Sequence, residues 1–284
     1  MKEKSEDIRR SVSQDYARAL EAGSGCGCCG AAPVQKGIAA KLAGYTEQEL
    51  SSLPDDAVVN SFGCGNPLSF SDVGEGQTVL DLGSGAGIDL ILAAGRVGPE
   101  GRVIGVDMTD EMIARARGNI AASGFSNIEV RRGLIEDLPV ESGSVDWVIS
   151  NCVINLSPEK PRVFGEIARV LKKGGTMVVS DMVAEDLPKD ILESAALYSS
   201  CIAGAVSEKE YLAGLREAGL TDVEVLGRIV FDGAQMKDMV ESELKLASGA
   251  GQGCCGTGGC AGADGVADRL AGKVWSLKVR ARKP

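Results

Sequence analysis

The sequence predicts an α/β protein with a doubly wound, mostly parallel sheet, on the basis of three observations. Strand-like and helix-like segments alternate from residue 77 onward, which is the pattern of parallel strands joined by helices. The first of these strands runs into the glycine-rich turn DLGSGAGID at 81–89, a typical ligand-binding turn between strand and helix. The 284 residues are 44% hydrophobic and 25% charged, which is enough apolar chain to bury a large core.

The individual elements follow from apolar periodicity and capping residues. Residues 1–20 have apolar side chains at helical spacing and predict an amphipathic helix. Thr46 starts a short helix, because Glu49 follows it at the capping-box distance. The predicted strands of the alternating region are 77–82, 102–107, 127–131, 145–150 and 175–181, and its predicted helices are 87–97, 110–123 and 159–171.

The alternation ends after the fifth strand. We predict mainly helix over 188–218, a strand over 222–231 and a helical run over 234–247. Residues 248–265 are glycine-rich and low in complexity, and we expect them to be flexible. The last apolar segment, VWSLKVRARKP at 274–284, alternates and predicts a closing strand.

The composition excludes several classes of function. The formal net charge of −10 would repel nucleic-acid phosphates and suits a small-molecule enzyme. No apolar run approaches the ~18 residues of a membrane span, and the charged N-terminus lacks a signal sequence. We therefore expect a cytoplasmic monomer with no nucleic-acid or membrane partner. The chain has no histidine, so its chemistry must rely on cysteine, carboxylate, backbone or cofactor groups.

The glycine-rich turn predicts a nucleoside cofactor, with a purely structural turn as the alternative. Asp107 ends the next strand, where its carboxylate would meet ribose hydroxyls. Asp81 would repel the pyrophosphate of NAD, so the pattern favours S-adenosylmethionine, whose amino-acid end Asp81 could serve. The segment GLIEDLP at 133–139 lies where an adenine pocket is expected. The predicted cofactor-binding residues are Asp81, Gly83, Gly85, Gly87, Asp107, Met108, Ile135, Glu136 and Asn151.

Three single cysteines lie outside the nucleotide-binding pattern: Cys64 in SFGCGNP, Cys152 in SNCVINLSP and Cys201 in YSSCIAGA. Only the fold can bring them together, and three thiolates beside the cofactor would form a pocket for a soft ion. The simpler alternative is packing, because Cys152 at a strand end and Cys201 in an apolar helical setting both resemble buried small residues. Gly63 and Gly65 flank Cys64, so we expect that loop to be mobile and to close over the ion.

These motifs resemble the arsenite S-adenosylmethionine methyltransferases. The resemblance extends over about residues 35–231 and is carried by VLDLGSGAGID (79–89), GRVIGVDMT (101–109), SNCVINLSPEKPRVF (150–164), CIAGA (201–205) and FGCGNP (62–67). It implies a class I, Rossmann-like methyltransferase acting on arsenite and methylated trivalent arsenicals. It also implies that Cys64, Cys152 and Cys201 are the catalytic residues and the arsenic ligands, and that a further N-terminal cysteine takes part in thiol exchange.

The resemblance suggests a division of the chain into four parts. We assign an N-terminal helix and cysteine-rich loop to 1–57, the S-adenosylmethionine-binding core to 58–185, an arsenic-binding region to 186–232 and a C-terminal segment to 233–284. The cysteine-rich loops contain Cys26, Cys28, Cys29, Cys254, Cys255 and Cys260. Their vicinal cysteines suit arsenite capture and thiol relay, while a structural metal and no specific role remain open.

Arsenic chemistry needs no histidine. Three sulfurs around trivalent arsenic leave a lone pair, which can attack a sulfonium methyl carbon without loss of a proton. Methylation formally oxidises the arsenic, and cysteines could return two electrons by forming a disulfide that glutathione or thioredoxin then reduces. Two alternatives remain: a methyltransferase for a small organic substrate such as a quinone or sterol precursor, and a non-catalytic metalloid-binding protein.

Overall fold

One mixed sheet organises the protein. The computed structural model describes residues 2–22, 43–61, 63–192, 194, 198, 201–231, 235–236 and 263–284. Its strands are β1 (Thr78–Leu82), β2 (Arg102–Asp107), β3 (Ile128–Arg132), β4 (Val145–Asn151), β5 (Leu171–Ala184), β6 (Thr221–Val230) and β7 (Val274–Arg282). The described α-helices are α1 (Lys2–Ala22), α2 (Glu47–Ser51), α3 (Asp55–Val59), α4 (Ile88–Val97), α5 (Asp110–Ser123), α6 (Lys160–Val170), α7 (Lys189–Leu192), α8 (Glu208–Glu217) and α9 (Ala263–Leu270). Short 3₁₀ helices span Pro67–Phe70 and Ile154–Leu156.

The sheet is mostly parallel. The strand order is β3-β2-β1-β4-β5-β7-β6. Strands β1 to β5 pair in parallel, whereas β7 runs antiparallel between β5 and β6. Parallel neighbours need crossover connections, and α4, α5 and α6 provide three of them. The doubly wound, mostly parallel α/β sheet predicted from the alternating pattern is confirmed.

Helices cover both faces of the sheet because successive residues of a strand point to opposite sides. In β1, Val79 packs in a cluster with residues of α4 and α5, while Leu80 and Leu82 pack with residues of α6 and α8. All three side chains are fully buried. Such burial on both faces is why the parallel strands are nearly continuous apolar runs in the sequence.

Most predicted boundaries agree closely with the structure. Thr46 forms the predicted capping box with Glu49. The closing strand is present as β7, and β5 extends beyond its predicted range because it pairs with β7 as far as Ala184 and Val274.

The second half of the chain is only partly described by the structure. The prediction of mainly helix over 188–218 agrees with the described residues of that range, in which the non-helical residues 201–207 lie between α7 and α8. The predicted run 234–247 lies outside the described residues except for 235–236, which are helical. The predicted flexible segment 248–265 is likewise outside them up to 262, and its last residues begin α9. None of the described helices is long and apolar enough to cross a bilayer.

The sheet creates a binding position at the carboxyl ends of β1 and β4. Strand β1 continues through α4 to β2 on one side, and β4 continues through α6 to β5 on the other. The connections therefore diverge between β1 and β4, which leaves a crevice outside their carboxyl ends. Open α/β sheets bind their ligands at such a switch point.

Candidate active site

A cleft with about 950 Å³ of empty space, counting the part open to solvent, lies at this switch point. The turn after β1, the end of β2, the loop after β3 and the residues after β4 form its walls, and α1 closes one side. Of the predicted cofactor-binding residues, the lining includes Asp81, Gly83, Gly85, Asp107, Met108, Ile135, Glu136 and Asn151.

Not every predicted residue reaches the cleft. Gly87 is absent from its lining and instead precedes the first residue of α4, where an added Cβ would lie 3.5 Å from Ala116. Gly87 has a φ of 92°, in the left-handed region that favours glycine, so its place in the structure is the turn that starts α4. The cysteine-rich loops at 26–29 and 254–260 lie outside the described residues.

Three carboxylates, Asp81, Asp89 and Asp107, give the cleft its electrostatic character. Burial raises the pKa of Asp81 well above its ordinary value, and the charges of Asp89 and Asp107 raise it further. Burial also raises the pKa of Asp89 to about 6. It raises the pKa of Asp107 as well, against the opposing effect of hydrogen bonds from the backbone N–H groups of Thr109 and Gly85. A nearby cation would relieve this repulsion and a phosphate would add to it, so the cleft suits an ammonium or sulfonium ligand.

The turn after β1 lets a ligand approach the backbone. Asp107 Oδ2 accepts a hydrogen bond from Gly85 N at 3.0 Å, which ties the end of β2 to the turn. Gly83 has a φ of 64°, and a Cβ there would lie 2.5 Å from Val153, so only glycine fits. The buried Ser84 Oγ has no hydrogen-bond partner among the described residues, although it lines the cleft. A polar ligand would satisfy it, and these features together fit a nucleoside cofactor that carries a positive charge.

Three cysteines that are distant in sequence meet at the edge of the cleft. Cys152 directly follows β4, lines the cleft and forms a disulfide with Cys64, with 5.7 Å between the Cα atoms. Cys201 Sγ donates a hydrogen bond to the Cys152 carbonyl oxygen at 2.7 Å. The fold brings the three predicted cysteines together, and Cys64 and Cys152 are joined as a disulfide; a three-thiolate site, which requires this pair to be reduced, stays a prediction.

The backbone at two of these cysteines is unusual. Cys152 and Cys201 have φ values of 61° and 63°, in the left-handed region that non-glycine residues rarely adopt. This conformation costs roughly 1–2 kcal/mol per residue, and such strain concentrates at functional sites. Both residues are buried, as the packing alternative requires, but packing alone gives no reason for this backbone. The helical setting expected for Cys201 is wrong, because the residue lies in a turn.

The loop that carries Cys64 is fixed against the sheet. Asn151 Oδ1 accepts a hydrogen bond from Gly65 N at 3.1 Å, and Asn151 Nδ2 donates one to Gly65 O. Ser276 Oγ of β7 donates to Cys64 O at 3.2 Å. An added Cβ at Gly65 would overlap Ser180, so glycine permits the close approach. These contacts hold the loop at Cys64 and Gly65 in this disulfide-bonded form, and its mobility in the reduced protein stays a prediction.

Comparison with known proteins assigns this geometry to a family. Residues 74–219 match the family described as "Methyltransferase domain". The solved structure of an arsenic(III) S-adenosylmethionine methyltransferase from Chlamydomonas reinhardtii is similar with a TM-score of 0.59 and 32% identity, covering 86% of this chain and 71% of that one. The chain belongs to the arsenite S-adenosylmethionine methyltransferase family. Its sheet is the class I methyltransferase fold.

Two curated relatives in this family are arsenite methyltransferases of prokaryotes. The protein of Halobacterium salinarum is 43% identical over 233 residues, which are 78% of this chain and 59% of that protein. The protein of Aquipseudomonas alcaligenes is 35% identical over 226 residues, which are 76% of this chain and 62% of that protein. The chain spans about three fifths of the length of these relatives.

Sequence reasoning missed Tyr45 and Asp89. Tyr45 Oη donates a hydrogen bond to Asp89 Oδ1 at 2.8 Å and accepts one from Asn151 Nδ2 at 3.1 Å. Asn151 thereby links the Cys64 loop to the wall of the cleft, in addition to the cofactor contact expected of it. Asp89 was visible as the last residue of the motif DLGSGAGID, but no local pattern shows that Tyr45 reaches it.

Asp181 is the other residue that the sequence analysis missed. It is 1% exposed and accepts hydrogen bonds from Asn155 Nδ2 at 3.0 Å and Tyr211 Oη at 3.2 Å. Burial raises its pKa to about 7. One of its oxygens and the Sγ atoms of Cys152 and Cys201 all lie within 4.8 Å of one another. An acidic residue near the carboxyl end of a parallel strand was the available signal.

We predict that Cys201→Gly is more stable than Cys201→Ala by about 1 kcal/mol, because glycine adopts the left-handed backbone without steric cost. Both variants lose the Sγ hydrogen bond to the Cys152 carbonyl, so that loss cancels in the comparison. Urea unfolding of both variants under reducing conditions measures the difference in the free energy of unfolding. An alanine variant at least as stable as the glycine variant contradicts the left-handed conformation.

We predict that Asn151→Ala weakens the Cys64–Cys152 disulfide about tenfold in a glutathione redox titration, because the hydrogen bonds that fix Gly65 are lost. Asn127→Ala is the matched control. Asn127 Nδ2 also holds a glycine-containing turn, through Gly98 O and Gly101 O, but in the connection between α4 and β2. Equal disulfide stability in Asn151→Ala and the wild type would show that Asn151 does not position Cys64.

Proposed function

We propose that this protein transfers a methyl group from S-adenosylmethionine to trivalent arsenic, and so converts arsenite into methylated arsenicals in arsenic detoxification. The observation that carries the proposal is the meeting of Cys64, Cys152 and Cys201 at the edge of a cleft that suits a cationic nucleoside cofactor. Soft trivalent arsenic prefers thiolate ligands. The names of the relatives support the same reaction.

In this proposal the cofactor binds along the turn after β1. Asp107 accepts hydrogen bonds from ribose hydroxyls, and Asp81 pairs with the ammonium of the amino-acid end. The remaining contacts come from Gly83, Gly85, Met108, Ile135, Glu136 and Asn151, all of which line the cleft. When bound, the cofactor supplies a methyl carbon that its sulfonium makes electrophilic. The acidic residues of the cleft favour that positive charge.

The protein contributes to the reaction mainly by positioning arsenic next to the methyl group of the cofactor. Reduced Cys64, Cys152 and Cys201 would hold arsenic through three thiolates, with its lone pair free to take the methyl group as the bond from that carbon to the sulfonium breaks and S-adenosylhomocysteine is left. Placing two reactants in a productive geometry lowers a barrier by roughly 7–11 kcal/mol. Each cysteine must lose its proton to bind, so arsenic binding releases protons and depends on pH. No general base acts on the nucleophile, which agrees with a chain that contains no histidine.

The disulfide supports a redox role for Cys64 and Cys152. Two thiols release two electrons and two protons when they form a disulfide. Those electrons are what a newly methylated, pentavalent arsenical requires to return to the trivalent state. The bonded pair cannot ligate arsenic, so an external thiol system, glutathione or thioredoxin, must reduce it before the next turnover.

The wider setting of the enzyme is part of the proposal. We assign the core function to 58–185 and the completion of the arsenic site to 186–232, with 1–57 and 233–284 as flanking parts. The net charge of −10 supports a protein without nucleic-acid partners. We propose that it acts as a monomer in the cytoplasm.

The reaction is tested with S-adenosylmethionine labelled in its methyl group, with and without arsenite and a thiol. The wild type should transfer label to arsenic only when both are present. Cys152→Ser and Cys201→Ser should each lower turnover at least roughly a hundredfold, because a displaced substrate loses its productive geometry. Both variants should still bind S-adenosylhomocysteine in calorimetry. Near-normal turnover by either variant, or label transfer to an organic acceptor alone, would contradict the proposal.

Cys64→Ser should damage methylation of arsenite more than methylation of monomethyl arsenic(III). The monomethyl species has one valence filled by carbon and offers only two to sulfur, so it depends less on a third thiolate. Initial rates with both substrates, measured on one preparation with excess external thiol, give the comparison. Equal losses on the two substrates would show that Cys64 acts as a general redox thiol rather than as the third ligand.

A further inference from the structure

Helix α1 lies against both the cofactor cleft and the cysteine cluster. Its apolar side chains recur every four residues, at Ile8, Val12, Tyr16 and Leu20. Val12 is 1% exposed, and it packs in one cluster with Cys152 and Cys201, with Ile8 and Tyr16 against the same cluster. Arg9, Val12 and Tyr16 also line the cleft. One face of α1 therefore covers the place where the cofactor and the sulfur atoms meet.

Arg9 joins α1 to two segments on the far side of this cleft. Its Nε donates to Glu136 Oε1 at 3.0 Å, in the loop after β3, and an Nη donates to Glu159 Oε2 at 3.1 Å, just before α6. The Glu136 carboxylate is buried, and its Oε1 also accepts a hydrogen bond from Ser157 Oγ at 2.6 Å. The Arg9 side chain is only 16% exposed, so these ion pairs are better protected from solvent than a typical surface pair.

Two further polar contacts join α1 to α5 and to the residue before it. Thr109 Oγ1 donates to Ser13 Oγ at 3.2 Å, and Arg115 donates to the Leu20 carbonyl at 3.4 Å. The first joins two neutral hydroxyls and the second has a neutral acceptor, whereas both partners are charged in each bond of Arg9, and charge-assisted bonds are roughly twice as strong as neutral ones. The apolar face of α1 and the two ion pairs of Arg9 therefore both hold the helix over the cleft.

We propose that α1 forms a wall of the cofactor site and that Arg9 is the positioning residue that keeps this wall closed. The inference rests on the proposed use of S-adenosylmethionine, and it names a residue that determines how long the cofactor stays bound. A cofactor covered by α1 leaves only when the helix moves, and that motion must break the bonds from Arg9 to Glu136 and Glu159. Arg9 thus sets how long cofactor and product remain bound, and it helps to keep water from the reacting atoms.

The test compares Arg9→Gln with Arg10→Gln. Arg10 is the next residue on α1, but its side chain is 71% exposed and pairs with Asp7 of the same helix. The dissociation rate of S-adenosylhomocysteine is measured by stopped-flow competition and its affinity by calorimetry. Arg9→Gln should raise the dissociation rate roughly tenfold or more, since charge-assisted bonds are lost, while Arg10→Gln should match the wild type. Arg9→Lys should fall between them, because an ammonium cannot reproduce the bidentate reach of a guanidinium.

A second measurement separates positioning from a fault in folding. Hydrogen exchange of the wild type should show that S-adenosylhomocysteine slows exchange in α1, and this protection should fall in Arg9→Gln while the exchange of β1 and β4 stays unchanged. Absence of ligand-dependent protection in wild-type α1, or equal dissociation rates for Arg9→Gln and Arg10→Gln, overturns the inference alone. A wild-type protein that does not bind S-adenosylhomocysteine at all overturns the proposed function together with it.

Discussion

The active site depends on the divergence of the chain between two adjacent parallel strands, β1 and β4. Their connections leave in opposite directions, so neither connection covers the carboxyl ends of the pair. The glycine turn follows β1, and Asn151 and Cys152 lie at the end of β4. Because β1 and β4 are neighbouring strands, the cofactor turn and the first cysteine of the cluster are adjacent. Other parts of the protein reach this position through specific contacts: the Cys64 loop through Asn151, the Cys201 turn through the Cys152 carbonyl, and α1 through Arg9.

The site contains features that lower the stability of the fold, and the hydrophobic core offsets that cost. Two left-handed cysteines and several buried carboxylates would each destabilise a small domain. Here they are surrounded by strands whose side chains are buried on both faces. The buried acids also do not stand alone. Asp107 is held by backbone N–H groups, Asp89 by Tyr45 and Asp181 by Asn155 and Tyr211, so that each carboxyl group has hydrogen-bond donors of its own.

The features that could be predicted from the sequence are those that short-range patterns determine. The strands of the alternating region, the capping box at Thr46 and the glycine turn depend on neighbours a few residues away, and these predictions agree with the structure. The expected helix at Cys201 is absent, because the residue lies in a turn where its Sγ bonds the Cys152 carbonyl, and no local pattern encodes a contact with a residue so distant in sequence. The roles of Tyr45, Asp181 and Arg9 were equally out of reach, since each depends on a partner that only the tertiary fold supplies.

The disulfide has a consequence for the stability of the form in which Cys64 and Cys152 are oxidised. It links positions 88 residues apart, and a crosslink of that span restricts the unfolded chain by roughly 4–5 kcal/mol in the chain-entropy description. In the proposed function this bonded form awaits a reductant, so the form that has completed its redox step would be harder to unfold than the reduced form. Reduction would then return it to the reaction without new synthesis.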